Sequence, residues 1–148
     1  MTLQSLLGVS LDTVRPDREQ VMRLLAAAER NLADAQLAGL SNENRFDAAY
    51  KAIMQLAMLA LHANGFRTLT SRPGHHQTAI QTLPQTIGLA VDRMIVLDAL
   101  RKQRNLSDYS GDVVQTSAVN ECFVSATSLM IDVEAWLMAN KPELLGAR

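Results

Sequence analysis

Aromatic residues are scarce in this 148-residue chain, at 4% of the total, and cysteine is reduced to a single residue, Cys122. One cysteine excludes an intramolecular disulfide and leaves a cysteine-based zinc site without its ligands. Four prolines and seven glycines are too few for the turn-rich pattern of a β-sandwich. A surplus of one charge is also missing, with 14 Lys and Arg against 15 Asp and Glu and a formal net charge of −1. That balance excludes the broad basic footprint of an avid, non-specific binder of duplex DNA, while leaving room for a small basic site. The N-terminus lacks the basic start and long apolar core of a signal peptide. The most apolar stretch, Ala52 to Leu61, is about half the roughly twenty residues a membrane span needs. A soluble cytoplasmic protein without a membrane segment is the expectation.

What is present is helical periodicity. Hydrophobic residues make up 48% of the chain, including seven methionines, and the length suits one domain, residues 1–148, with its core over about 17–140. After Asp17, a suitable N-cap, Val21, Leu24, Leu25, Ala28, Leu32 and Ala35 recur at three-four spacing. Ser41 and Asn42 open a second helix with Phe46, Ala49, Ile53, Ala57, Ala60 and Leu61 on its inner face, and Asn64-Gly65 stops it. Ser71-Arg72-Pro73-Gly74 is a turn signal. His75 to Leu83 reads as a helix, punctuated by Pro84 and Gly88. Another helix runs from near Leu89 to about Arg104, and Ser110-Gly111-Asp112 makes the next turn. The last helix runs from about Thr116 to Ala139, with Ala118, Cys122, Ser125, Leu129, Val133 and Trp136 on one stripe, and Lys141-Pro142 ends it. No strand-like alternation appears. Long helices with short connections predict an all-α, up-and-down bundle of four to five helices.

Chemistry concentrates between Leu100 and Gly111. Arg101 and Arg104 lie three residues apart and share a helix face, followed by Asn105, Asp108 and Tyr109. One reading makes the cations partners of a helix C-terminal dipole and the polar residues its cap. The other makes them an anion site. Asp47 could orient one of these arginines for phosphate recognition, or pair with Lys51 at i,i+4. His75 and His76 follow Pro73-Gly74 at a helix start, either as a solvated turn with a structural hydrogen bond or as groups reaching the Arg104 cleft. Tyr50 reads as a core residue whose hydroxyl finds a partner, Cys122 as a small buried hydrophobe, and His62 as a boundary residue. No set of ligand-type residues at helical spacing forms a metal site, and none is expected.

Leu100-Arg101, then Arg104-Asn105-x-x-x-Tyr109, resembles the Arg-Asn segment of the HEPN superfamily. The run Arg45 to Ala52, ending in Gly65-Phe66-Arg67, is similar to the second helix of small bacterial HEPN proteins, and Gly74-His75-His76 resembles the start of their next helix. The resemblance covers about residues 40–137. It implies a bundle of HEPN type that forms a homodimer, with motif residues lining a cleft at the interface. It also implies metal-independent ribonuclease chemistry without cofactor: a ribose 2′-OH attacks the adjacent phosphate, a His moves protons and an Arg stabilises phosphoryl oxygens. Many members are toxins paired with a nucleotidyltransferase-type antitoxin, and others are accessory modules. Carried over, Arg104 matches the motif Arg and Asn105 its polar follower, while Tyr109 stands where the motif His belongs. A free tyrosine is only about 0.1% ionised at pH 7, so Tyr109 suits hydrogen bonding to phosphate or base stacking better than proton transfer. The expectation is therefore an RNA- or nucleotide-binding protein, with Arg104, Tyr109 and His76 as candidate catalytic residues. Arg101, Asn105, Asp108 and His75 would complete the phosphate site, and Asp47 would orient it. The alternative is a catalytically inactive interaction or accessory dimer.

Overall fold

Asp17 caps the first helix by accepting the Glu19 N–H on its carboxylate, and the same device recurs at Ser41, whose hydroxyl accepts the Asn44 N–H. These caps open α1 (Arg18–Ala35) and α2 (Asn42–Ala63) where the sequence predicts them. The computed structural model describes residues 2–71, 73–111 and 113–146, and the side chains of Asp108 and Tyr109 also lie outside the described residues. Arg72 and Asp112, parts of two predicted turns, fall outside as well. Further along the chain come α3 (His75–Gln81), α4 (Leu83–Ile87), α5 (Val91–Ser110) and α6 (Thr116–Asn140). The protein is an all-α helical bundle.

The organising element is α2. It packs against α1, α3, α4, α5 and α6. Its sequence reads as amphipathic, yet Phe46, Ala49, Tyr50, Ile53, Leu56, Leu59 and Leu61 are all buried, and together they cover its circumference. A helix that is apolar all round belongs in the middle of a bundle. Alanines at 48, 49, 52, 57, 60 and 63 let the neighbouring helices approach it closely. Around it, α1 buries Val21, Leu25, Ala28 and Ala35, and α6 buries Ala118, Val119, Cys122, Ala126, Leu129, Val133 and Leu137.

Three expectations change. The periodicity predicts no strand, but Leu11–Thr13 (β1) and Phe66–Thr68 (β2) pair antiparallel, with Leu11 opposite Thr68 and Thr13 opposite Phe66. Three residues are too few to display alternation in a sequence. The second change is in α5, which runs six residues past Arg104. Gly111, at φ +71°, ends it by returning its N–H to the Ser107 carbonyl. Asn105 and Ser107 are thus helix interior rather than cap, and Arg104 stands above the last turn. The third concerns apolar length: α6 has 25 residues and a window of mean hydropathy 1.4, long and apolar enough to cross a membrane. Its apolar residues are interspersed with Ser and Thr, so no long continuous run is visible. In the bundle one stripe of α6 faces α2, while Val124, Ile131 and Met138 stand exposed on the other side.

Candidate functional site

Three helices bring chemistry to one place near the start of α2. Asp47 and Tyr50, three residues apart on α2, face α5, and the imidazoles of His75 and His76 approach from the first turn of α3. The Arg104 Nε donates to Asp47 Oδ1 at 3.1 Å, and its guanidinium carbon lies 5.2 Å from the centre of the Tyr50 ring. That combination fixes the guanidinium plane against an aromatic face and a carboxylate. Asp47 also meets Lys51 Nζ through Oδ2 at 3.3 Å. The two readings of Asp47 are therefore not exclusive, because one carboxylate serves both cations.

Tyr50 is 1% exposed, and its hydroxyl lies 3.3 Å from His76 Nδ1. Burial pushes the phenol up to about 12, against the opposing pull of Arg104 and Arg101. Tyr50 therefore stays protonated and serves as a hydrogen-bond partner. Burial likewise lowers the pKa of His76, helped by His75, Arg104 and Arg101. A neutral His76 has two useful tautomers. With hydrogen on Nε2, Nδ1 accepts from the Tyr50 hydroxyl and Nε2 can donate to an anion. With hydrogen on Nδ1, the Tyr50 oxygen accepts it and the Nε2 lone pair can take a proton. His75 stacks edge-on to His76, with ring centres 4.6 Å apart.

Arg101, expected in the phosphate site, is instead engaged within the protein. Its Nε donates to Asp98 Oδ1 at 2.8 Å, and both side chains are largely buried. Lys102 and Gln81 also approach Asp98, which is itself buried. A buried carboxylate needs such partners, since an unpaired one would be costly to desolvate. Asn105 is exposed on α5. Asp108 and Tyr109, whose side chains lie outside the described residues, contribute backbone to the same helix. The structure thus brings Asp47, Arg104, Arg101 and His76 around Tyr50, with His75 against His76. Tyr50 is the member that the sequence reading leaves in the core. Its signal was available only as one of two tyrosines three residues from Asp47, which by itself says nothing about His76.

The lowered pKa of His76 has a measurable consequence. The unfolded chain binds the proton near pH 6.5, while the folded state resists it to lower pH. Stability is therefore whole above about pH 6.5, falls as pH drops through the folded value, and levels off once both states are protonated. His76→Gln should flatten that limb of the curve. Urea midpoints for both proteins between about pH 7.5 and 5 test it, and parallel curves would count against the buried, neutral imidazole.

No protein-family model, curated protein or solved structure matches the chain.

Proposed function

We propose that the protein is a HEPN-like bundle that binds the phosphate of RNA or of a nucleotide at the Arg104 cluster. The observation that carries the reading is convergence. Among the described residues, Arg104 and Lys51 meet at Asp47 while Arg101 and Lys102 meet at Asp98, so four cations converge on two carboxylates. Lys51 is exposed and can meet a phosphate arriving from solvent, while Arg104 is held in a fixed orientation by Asp47 and the Tyr50 ring. Phosphate recognition by an oriented guanidinium is favoured by its fork of donors. His76 supplies the proton-handling group that the Arg-Asn segment lacks. In the nucleolytic form of this reading, the His76 Nε2 lone pair accepts the 2′-OH proton as that oxygen attacks phosphorus, the 5′-oxygen leaves with the electrons of its broken bond and takes a proton from water, and Arg104 steadies the phosphoryl oxygens.

A homodimer in the cytoplasm, with a nucleotidyltransferase-type protein as its antitoxin partner, belongs to the same proposal. The exposed Val124, Ile131 and Met138 of α6 support association with a second copy. The α5 residues Val91, Ile95 and Leu106 are exposed too, but they lie on the side of α5 opposite Arg104, as helical spacing requires. A cleft shared between protomers would thus use the α2–α3 edge of the site.

The second reading is a non-catalytic interaction module. It is favoured by the Arg104–Asp47 ion pair, which ties the key guanidinium to the protein's own carboxylate. An RNA digestion with EDTA present separates the two. Cleavage to 2′,3′-cyclic phosphate ends, lost in Arg104→Ala and His76→Ala, is the expected result for the nuclease. Retention of RNA without cleavage, lost in Arg104→Ala, leaves a phosphate-binding protein. Neither cleavage nor binding by the folded protein leaves the interaction module.

A further inference from the structure

At the other end of α2, a cavity of about 410 Å³ opens between α1, the last turn of α2, and β2 with the segment after it. Its volume lies within the range of small-molecule pockets, roughly 300–1,000 Å³. Tyr50 and His62 are twelve residues apart on one helix, so this cavity is about 18 Å along the axis from the Arg104 cluster. The inference does not depend on the phosphate reading.

The walls are apolar. Leu24 from α1, Met58 and Leu61 from α2, Phe66 from β2, and Leu69 line the space. Leu61 is buried, but Leu24, Met58, Phe66 and Leu69 are only half-buried, because the faces they turn to the cavity have no protein against them. Polar groups also line it, among them Gln20, Arg67 and His62. His62 is 9% exposed and lines the cavity. Its Nε2 accepts the backbone N–H of Asp17 at 2.9 Å, joining the start of α1 to the end of α2. A neutral imidazole has one acceptor and one donor nitrogen, so Nδ1 carries the hydrogen. Among the described residues no acceptor meets that N–H. That N–H is reached by solvent rather than sealed in the core, so a ligand acceptor would take the place of water there. Thr68 and Ser71 also line it, as does Arg67, which pairs with Asp12 at 3.1 Å, and no carboxylate is among the described lining residues.

We infer that this cavity is a binding site for a small molecule with an apolar body and a carbonyl-type acceptor, whose oxygen takes the His62 Nδ1–H while its chain lies against Leu24, Met58 and Phe66. Carboxylates and ketones share that acceptor, and an alkylammonium of the same length lacks it.

The test titrates the full-length ¹⁵N-labelled protein with octanoate, 2-octanone and octylammonium, following backbone amides and the His62 ring nitrogens. The expected result is saturable shifts confined to the cavity residues, with a Kd of about 1 mM or tighter for at least one acceptor-headed probe. The His62 Nδ1 resonance should move, and octylammonium should bind at least about tenfold more weakly. Met58→Trp, which fills the space, should abolish the shifts while the rest of the spectrum stays in place. Leu24→Phe blocks the opposite wall and repeats the test should Met58→Trp fail to fold. Octanoate and 2-octanone distinguish an anionic from a neutral head group. Equal binding of octylammonium, binding that survives a folded cavity-filling variant, shifts scattered over the surface, or no saturation by either acceptor probe up to about 10 mM would each overturn the inference.

Discussion

Leu56→Ala is expected to destabilise the protein by about 2–5 kcal/mol, since it removes a fully buried side chain from the middle of α2 and leaves a cavity behind it. Domains of this kind are stable by about 5–15 kcal/mol in total, so this one change can remove a large share. Two features place the cost in the upper part of the range. Leu56 has no exposure, and its helix is surrounded by other helices, so few groups can relax into the gap without disturbing a second contact. Leu106→Ala provides the contrast. Leu106 is 70% exposed on α5, and its loss should lie within about 0.5 kcal/mol of neutral. Urea unfolding of the two variants, with unchanged slopes, gives the comparison directly. A small effect at Leu56 would mean that α2 is not the centre of the bundle.

Arg104→Ala should weaken RNA binding by about 10- to 150-fold, corresponding to the roughly 1.5–3 kcal/mol that charge-assisted hydrogen bonds contribute. The same change should scarcely move stability. The Arg104–Asp47 pair is partly exposed, with 26% and 33% of the side chains accessible, and pairs of that kind contribute about 0–1 kcal/mol. Asp47 would also keep Lys51 as a partner. Arg104→Lys should fall between the two, because it keeps the charge but loses the planar fork that Tyr50 and Asp47 hold in place. The salt dependence offers a further check, since losing one phosphate contact should lower the slope of log affinity against log salt by about one. Unchanged affinity in Arg104→Ala, with the fold intact, would remove Arg104 from the site and favour the interaction-module reading.

Much of the bundle was legible before any coordinates, because helix starts and stops are local chemistry. Asp17, Ser41, Gly65 and Lys141 mark ends that a reader of the sequence can place. Central position is not local. The Ala-rich stretch of α2 looks amphipathic because alanine counts for little in a periodic pattern, although it is as fully buried as leucine. The end of α5 was misplaced for a related reason. Asn105, Ser107 and Asp108 favour caps and turns, yet the helix continues through them until Gly111 supplies the left-handed residue that ends it. At the site, the Asp47–Arg104 partnership could be anticipated from a carboxylate and a guanidinium on adjoining helices. The Tyr50–His76 contact could not, because 26 residues separate the two and their meeting depends on how α3 docks. His62 shows the same limit: sequence alone makes it a boundary residue, and only the fold joins its ring to Asp17 and to a cavity.

The burial of α2 also bears on how such a protein can change over generations. Beyond Lys51 none of its side chains is fully exposed, so most replacements there disturb several neighbouring helices at once. Glu43, Asn44 and Lys51, the exposed positions, all lie in its first half, beside Asp47 and Tyr50. Sequence drift is thereby channelled to the end of the helix where the charged cluster sits. Descendants can alter the charges of that cluster while the far end, where most side chains are buried, preserves the architecture.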